Sequence, residues 1–527
     1  MMAKNYRQKY LKIYFWQILS VLLGFCSLFI VVPYLSSNKI IFGIYSVCTS
    51  LTIFFSYADL GFLAAGTKYA AEYYVQGKRY EEIRIIGFTA FVMVSIFSFL
   101  ALVIVILGCC PKLLIPELVV GTKMYSISRN LLLILAFSCP IIIGQRILGL
   151  IFTIRVEDYK YQRIMILGNI TRILSVFVFF GKGRYLIVEY FFFYQIVSLC
   201  IVLFGLLYSR KYGYKIRELI HCFKFDKEIF EKMKKLSVTA LLLSLSMIVY
   251  YELDQIVISH ILGVESVALY GAALSVLTLV RTFNSIVYSP YASRYNHFVG
   301  LGDYDGLNSF VNKMIIMFAP ILTVPIITLS LLAKPFVASW LGSNYVDASL
   351  LVTFLVLSFI PNFVRDPLTS YLVAKEDNRI LVKFNILMPF LYWLGIILTI
   401  RNWGLLSFAF FKFIIPFLPA VGYWIVVKKD FCAIGKKLVS FIKVLKVVVP
   451  PLFMVMIISA IVYPHMCFEK NSMSLGYNIF VMSLCVIGGL LVSIPFNDYY
   501  KEEIKRIINK ITSCLLYTSP SPRDYAA

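Results

Sequence analysis

The stretch that decides the fold is IGFTAFVMVSIFSFLALVIVILG, residues 86–108. It carries no charged side chain and none of the alternation of a half-buried strand. Its length suits the roughly 20 apolar residues that an α-helix needs to cross a bilayer. Thirteen further stretches read the same way, near 13–35, 39–58, 131–153, 164–181, 185–208, 236–259, 267–289, 310–332, 348–371, 381–400, 403–427, 439–463 and 476–495. Continuous apolar runs exclude a transmembrane barrel, whose strands alternate over about ten residues. Within hydrocarbon the helix is then the structure that satisfies its own backbone. Composition agrees: 60% of residues are hydrophobic and 15% charged, against about 25% charged in a soluble domain. The expected fold is an all-α polytopic membrane protein with about 14 transmembrane helices. The apolar run after Lys12 is too long for a signal peptide and no small-residue cleavage site follows it, so the first span is expected to be retained.

The net charge of +23 follows membrane topology. With the N-terminus inside, the expected inner segments hold 35 Lys or Arg and the outer loops 9, with one more in the tail and five within spans. Lys and Arg collect in cytoplasmic loops, so this split predicts both termini on the cytoplasmic side. It also reads the basic residues as topology and attraction to anionic lipid rather than to nucleic acid. The longest connections, 109–130 and 209–235, are too short to fold with a core of their own. That excludes an extramembrane catalytic domain, and the chain is not expected to be an enzyme. The eleven cysteines form no CxxC pair and read as packing residues. The four histidines, His221, His260, His297 and His465, lack metal-ligand spacing.

Two segments resemble each other. FGIYSVCTSLT from Phe42 parallels VALYGAALSVLT from Val267, pairing Tyr45 with Tyr270 and Ser50 with Ser275. YAAEY at 69–73 parallels YASRY at 291–295, each followed by a glycine and a Tyr-acidic pair. A repeat of six spans preserves orientation, so the axis relating two copies runs along the membrane normal, as in parallel-repeat transporters; chance similarity among Tyr/Ala/Ser-rich helices is the competing reading. The expected organisation is an N-terminal six-helix bundle over 1–208, a cytoplasmic basic linker over 209–235 and a C-terminal six-helix bundle over 236–427. Helices 13 and 14 with an amphipathic end would occupy 428–513.

Five cations lie inside spans: Arg146, Arg172, Arg281, Arg365 and Lys412. Each costs roughly 2.5–3.5 kcal/mol at a helix centre on insertion scales, so each is expected to face water, a partner or, near a span end, to snorkel. Glu189, Glu252, Asp254 and Asp366 are the candidate partners. A cavity lined with such cations suits an anionic head group, because the guanidinium fork matches phosphate. Asp254, in YYELDQ, reads as a coupling-ion or proton site, as an arginine partner or as a residue of the outer rim. Glu189 reads as a second coupling candidate or as a rim residue. Prolines recur in the spans and permit bends.

The phrase YADLGFLAAGTKYAAEYYVQGKRYEE (57–82) resembles the loop after the second helix in bacterial polysaccharide flippases of the multidrug/oligosaccharidyl-lipid/polysaccharide exporter superfamily. The matching residues are Asp59-Leu60-Gly61, Ala64-Ala65, Tyr69, Ala71-Glu72-Tyr73, Gly77 and Glu81-Glu82. LDQIVISHILGVESVALYGAA (253–273) and LLAKPFVASWLGSNYVDASLLV (331–352) are similar to the family as well. The resemblance implies a flippase moving undecaprenyl-diphosphate-linked repeat units, as for O-antigen or capsule, from the inner to the outer leaflet by alternating access. It implies no cofactor beyond H+ or Na+ coupling, and as partners the lipid-linked oligosaccharide, membrane lipids, and possible polymerase and glycosyltransferase enzymes. The cations listed would neutralise the diphosphate, and helices 13–14 are similar to those that offer a tail groove in lipid II flippases. A multidrug exporter of the same superfamily is the alternative, disfavoured because such pumps usually carry organic cations; a membrane-embedded glycan polymerase lacks its large external loop here. Asp59 and Glu72 are expected to brace the loop with Lys68 or Arg84. The final CLLYTSPSPRDYAA (514–527) resembles a translated sequencing adapter and is assigned no function.

Overall fold

The structure is a computed structural model that describes residues 2–57, 61–155, 157–181, 183–214, 216–375, 379–502 and 505. The tail 514–527, most of the amphipathic end and Asp59 lie outside these residues. Every regular element described is helical. The first half contains α1 (Met2–Leu35), α2 (Lys39–Tyr57), α3 (Phe62–Val75), α4 (Arg79–Cys109), α5 (Lys123–Phe137), α6 (Cys139–Ile154), α7 (Asp158–Phe179) and α8 (Ile187–Ser209). The connection and the next helices are α9 (Ile216–His221), α10 (Lys227–Tyr251), α11 (Asp254–Ile261), α12 (Val264–Gly300), α13 (Tyr304–Leu331) and α14 (Ala333–Leu341). Then come α15 (Ala348–Leu357), α16 (Asn362–Ala374), α17 (Arg379–Trp403), α18 (Leu405–Ile414), α19 (Phe417–Ala433), α20 (Phe441–Val462) and α21 (Ser472–Ser493).

All fourteen expected spans fall on helix. Among the described residues, ten helical stretches are long and apolar enough to cross a membrane, and twelve if the bent pairs α5–α6 and α15–α16 each make one span. The other two expected spans, 39–58 and 236–259, fall on α2 and on α10–α11. The two pairs bend by 40° and 41°. Pro140 follows the first break and Pro361 sits in the second, where a missing N–H loosens the ladder. Caps set several helix starts: Thr122, Asp226, Asp303, Ser440 and Asn471 each accept a backbone N–H of the following turn, supplying a partner that water cannot supply near lipid.

The chain forms two compact units, one of Met1–Ser275 with Asn385–Phe408, the other of Val276–Phe384 with Ala409–Ala527. In the first, α4 packs against α3, α5 and α6, and α7 against α1 and α8. One core cluster includes Ile86, Phe88, Ile151 and Met233, and a second Leu148, Phe152, Tyr161 and Ile201. Away from the basic connection, the 110–118 segment is clasped to the α11–α12 turn. Ser259 Oγ donates to Leu114 O at 3.3 Å, His260 Nε2 lies 2.9 Å from Leu113 O, and Val264 N donates to Glu117 Oε2 at 3.1 Å. Gly43 of α2 lies so close to this turn that a Cβ there would come within 2.2 Å of Val264 O.

In the second unit α13 is central and packs against α14, α15, α16, α20 and α21. Pro320 in α13 has no N–H to offer the Ile316 carbonyl four residues earlier. Asn497, just past α21, supplies the donor at 3.1 Å, and Tyr500 donates to the neighbouring Met317 O at 2.5 Å. At the other end of α21, buried Asn478 donates to Pro335 O, Ser339 Oγ and Cys467 O. These buried polar ties fix α20–α21 to α13 and α14.

Candidate functional site

Arg172 is an intramembrane cation with neutral polar and aromatic surroundings. It is half-buried on α7. Asn169, one turn earlier, accepts from Nη1 at 2.9 Å, and Ser198 of α8 accepts from Nη2 at 2.5 Å. Tyr194 stands one turn before Ser198, and its ring centroid is 3.9 Å from the guanidinium carbon. Two neutral acceptors and an aromatic face hold the fork flat; among the described residues no carboxylate pairs with it. Its Nε is buried without a hydrogen-bond partner. A cation fixed by neutral groups can accept an anion without first breaking an ion pair.

Asp254 opens α11 and is fully buried, so it does not sit on an exposed rim. Tyr270 of α12 donates its hydroxyl to Oδ2, and Tyr392 of α17 donates to Oδ1 at 2.8 Å. The Tyr250 ring packs edge-on against Tyr392 at 5.1 Å. Trp393 Nε1 donates to Val249 O at 2.8 Å and holds α17 against α10. A buried carboxylate at a helix N-terminus, held by two phenol donors, is a group on which a proton or cation could act.

The remaining candidates have separate surroundings. Arg365 Nε is 3.6 Å from Asp366 Oδ1, and Asn284 Nδ2 donates to Asp366 Oδ2 at 2.8 Å. This is the expected Arg365–Asp366 pair. Arg281 is exposed on α12, and Lys412 on α18 is buried to 1% exposure. Arg146 is half-buried on α6. Glu189 is exposed in the first turn of α8. Arg146 and Arg172 belong to the first unit; Arg281, Arg365 and Lys412 belong to the second.

Sequence reasoning missed a dense network on the basic connection. Glu82 is 1% exposed, yet it accepts from Arg79 at 3.0 Å and from Tyr214, and lies 3.6 Å from Arg155. The Arg155 guanidinium lies over Tyr74, Tyr212 and Tyr214, 4.7 to 4.9 Å from their centroids. Burial, then the bond to Glu82, raises the pKa of the Tyr214 phenol. Arg84 does brace this end, but its partners are Asp226 at 2.6 Å, Glu228 at 2.9 Å and Glu81 at 3.3 Å. Glu72 is exposed, and Lys68 lies over the Tyr69 ring. The tyrosines of YAAEY clasp the connection: Lys232 donates to Tyr73 Oη at 2.9 Å, and Tyr69 Oη to Lys232 O at 3.3 Å. The local signal was the Arg79–Glu82 spacing of one helical turn; the partners from 212–232 are distant in sequence.

Comparison with known proteins places this arrangement. The profile of the family described as "Polysaccharide biosynthesis protein" matches residues 7–296. The uncharacterized membrane protein EpsK of Bacillus subtilis (strain 168) is 25% identical over 134 residues, a match spanning 25% of either chain. Among solved structures, the lipid II flippase MurJ in an inward closed conformation superposes with a TM-score of 0.67 at 16% identity, covering 93% of this chain and 98% of that one. An inward-facing multidrug resistance MATE transporter of the MOP superfamily gives 0.59 at 14% identity, covering 79% and 95%. These identities establish a shared fold.

Proposed function

The chain belongs to the polysaccharide biosynthesis protein family, a multi-pass membrane protein with the MurJ and MATE fold, and on that premise we propose that it is a flippase for lipid-linked oligosaccharide. Its substrate is a repeat unit on undecaprenyl diphosphate, carried from the inner to the outer leaflet of the bacterial cytoplasmic membrane by alternating access, with both termini cytoplasmic. The observation that carries this reading is Arg172, pinned by Asn169, Ser198 and Tyr194 with no carboxylate partner among the described residues. A cation that must be buried yet is left un-neutralised by its neighbours is organised for an anionic group. Arg146, Arg281, Lys412 and Arg365, the last beside Asp366, are further candidates to meet the anionic head group. Asp254, gripped by Tyr270 and Tyr392, is the candidate for coupling to H+ or Na+; Glu189 has no comparable surroundings.

Multidrug export, known for the MATE structures by name, is the alternative. Organic cations are repelled by the same five side chains, which favours the glycolipid. The deciding experiment deletes the gene and follows lipid-linked repeat units with a membrane-impermeant glycan label. The flippase reading requires them to accumulate on the cytoplasmic face and to return outward on complementation. Normal outward display in the deletion strain, or export of cationic drugs by the purified protein in vesicles, overturns it.

A further inference from the structure

The connection between α8 and α10 lies against a membrane-spanning helix at a depth that the contacts fix. At Gly87 of α4 a Cβ would come within 2.6 Å of Cys222 O, so the backbone of the connection rests on the helix itself. Phe223 sets its ring edge-on to Phe91 with 5.5 Å between centroids, and the Phe225 ring is 6.1 Å from that of Phe88. Leu219 and Cys222 pack into the core cluster beneath. Counted back from Gly108, the ~20 residues that cross a ~30 Å hydrocarbon core end near Thr89. Residues 222–225 therefore sit where acyl chains give way to head groups.

What this segment leaves uncovered has two chemistries. Ile220, Phe223 and Phe225 are 67%, 39% and 56% exposed. Phe223, stacked on Phe91, prolongs the face of α4 that carries Ser95, Phe99, Leu102 and Ile106, all exposed and spaced three or four residues apart. The Ser95 hydroxyl turns back to Phe91 O at 2.9 Å, so this face presents hydrocarbon along its length and suits acyl chains. Beside the apolar side chains stand Arg217, Lys224 and Lys227, all exposed and none in an ion pair with another described residue. From Ser209 to Phe225 the chain carries five Lys or Arg against one acid, Glu218. Exposed rings at the depth of acyl chains, next to unpaired cations, make an element suited to lying in the plane of the interface.

We infer that residues 217–227 are an interfacial anchor bound to anionic phospholipids of the leaflet on this side. Ile220, Phe223 and Phe225 enter the upper acyl region, and Arg217, Lys224 and Lys227 meet head-group phosphates. Basic connections collect on the cytoplasmic side, which makes this the inner leaflet. A zwitterionic surface would leave the three positive charges uncompensated, and a soluble partner would have to enter the bilayer to cover Phe223 beside Phe91. The anchor is independent of the transported molecule and would hold equally for a drug exporter.

The test puts p-benzoylphenylalanine in place of Ile220 in the full-length protein, photolyses intact cells and identifies the adduct by mass spectrometry. Ile220 points away from the core, and abundance in membrane fractions checks that the substituted protein is made. The expected adduct is a phospholipid, with anionic head groups enriched about fivefold over their share of the membrane, the weight of a single cation near an anionic surface. Changing Arg217, Lys224 and Lys227 together to Gln should keep the lipid adduct and lose the enrichment. The same probe in place of Gln76, exposed in the α3–α4 turn and more than ~12 Å of helix below Gly87, should give no lipid adduct. A cross-link to a soluble protein, no adduct at position 220, anionic lipid at its bulk share, or an enrichment that survives the triple substitution overturns the proposal.

Discussion

Tyr392 donates its hydroxyl to Asp254 Oδ1 at 2.8 Å, joining residues 138 positions apart. Tyr270 reaches the other oxygen of the same carboxylate. Both phenols therefore fix the position of the Asp254 carboxylate. Asp254→Asn keeps the size of the side chain and removes its charge, so export driven by an imposed ion gradient should fall at least tenfold in vesicles while the variant still purifies as a monodisperse protein. Tyr392→Phe deletes one bond to a charged acceptor, worth about 1.5–3 kcal/mol, and should shift the pH profile of transport. An unchanged profile in both variants would remove Asp254 from the coupling role.

Arg172 tests the anion reading. Arg172→Ala should reduce export of lipid-linked repeat units by roughly 10–100-fold, the scale of one lost charge-assisted contact of about 1.5–3 kcal/mol. Arg172→Lys should restore little, because an ammonium cannot fill the fork that Asn169 and Ser198 hold. Arg281→Ala and Lys412→Ala should impair export as well. Immunoblots of membrane fractions must show normal abundance; full export by all three alanine variants sinks the cationic role.

The knot at Glu82 makes a stability prediction. Removing a partner from a buried charge network leaves its counterparts uncompensated, at about 3–5 kcal/mol for a fully buried pair. Arg79 is 36% exposed in its side chain, and solvent screening lowers the figure for Glu82→Ala to roughly 2–3 kcal/mol. Tyr214→Phe removes one bond and should cost about 1 kcal/mol. Thermal unfolding in detergent, followed by cysteine accessibility at buried Cys222, reads both.

Asp226 carries the pH prediction. Burial acts to raise its pKa, but the Ile229 amide and the Arg84 guanidinium outweigh it and hold the carboxyl below its ordinary value. A depressed folded pKa means that the stabilisation is complete above the unfolded value of about 3.9 and fades as pH falls through the lower folded value. Asp226→Asn keeps the helix cap and removes the charge facing Arg84, so it should cost about 0.2–1 kcal/mol at pH 7, and the gap should close as pH falls through the depressed folded pKa. A gap that persists unchanged at low pH contradicts the assignment.

The spans were legible because hydrocarbon imposes one requirement, length without charge, on every helix that crosses it. All of 86–108 and its thirteen companions landed on helix for that reason. The number that qualify was less legible: α2 is apolar over Lys39–Thr52, a shorter stretch than a full crossing needs. Arg172 was visible as a charge out of place, whereas Ser198 and Tyr194 were not, since a serine and a tyrosine in a span carry no such signal. Asp254 was visible and its tyrosines were not, because Tyr392 arrives from a helix more than a hundred residues away. The Glu82 knot was hidden for a different reason: its charged members sit where basic loops are expected anyway, so topology accounted for them before pairing could.

The connection between α8 and α10 with the first turns of α10, bonded at Tyr212, Tyr214, Asp226, Glu228 and Lys232 to α3, α4 and Arg155, is a splint and not a slack leash. A reporter domain or epitope inserted there, which a loose tether would absorb, should instead pry open the surface it lies on. Insertions meant to leave the protein working belong at other turns.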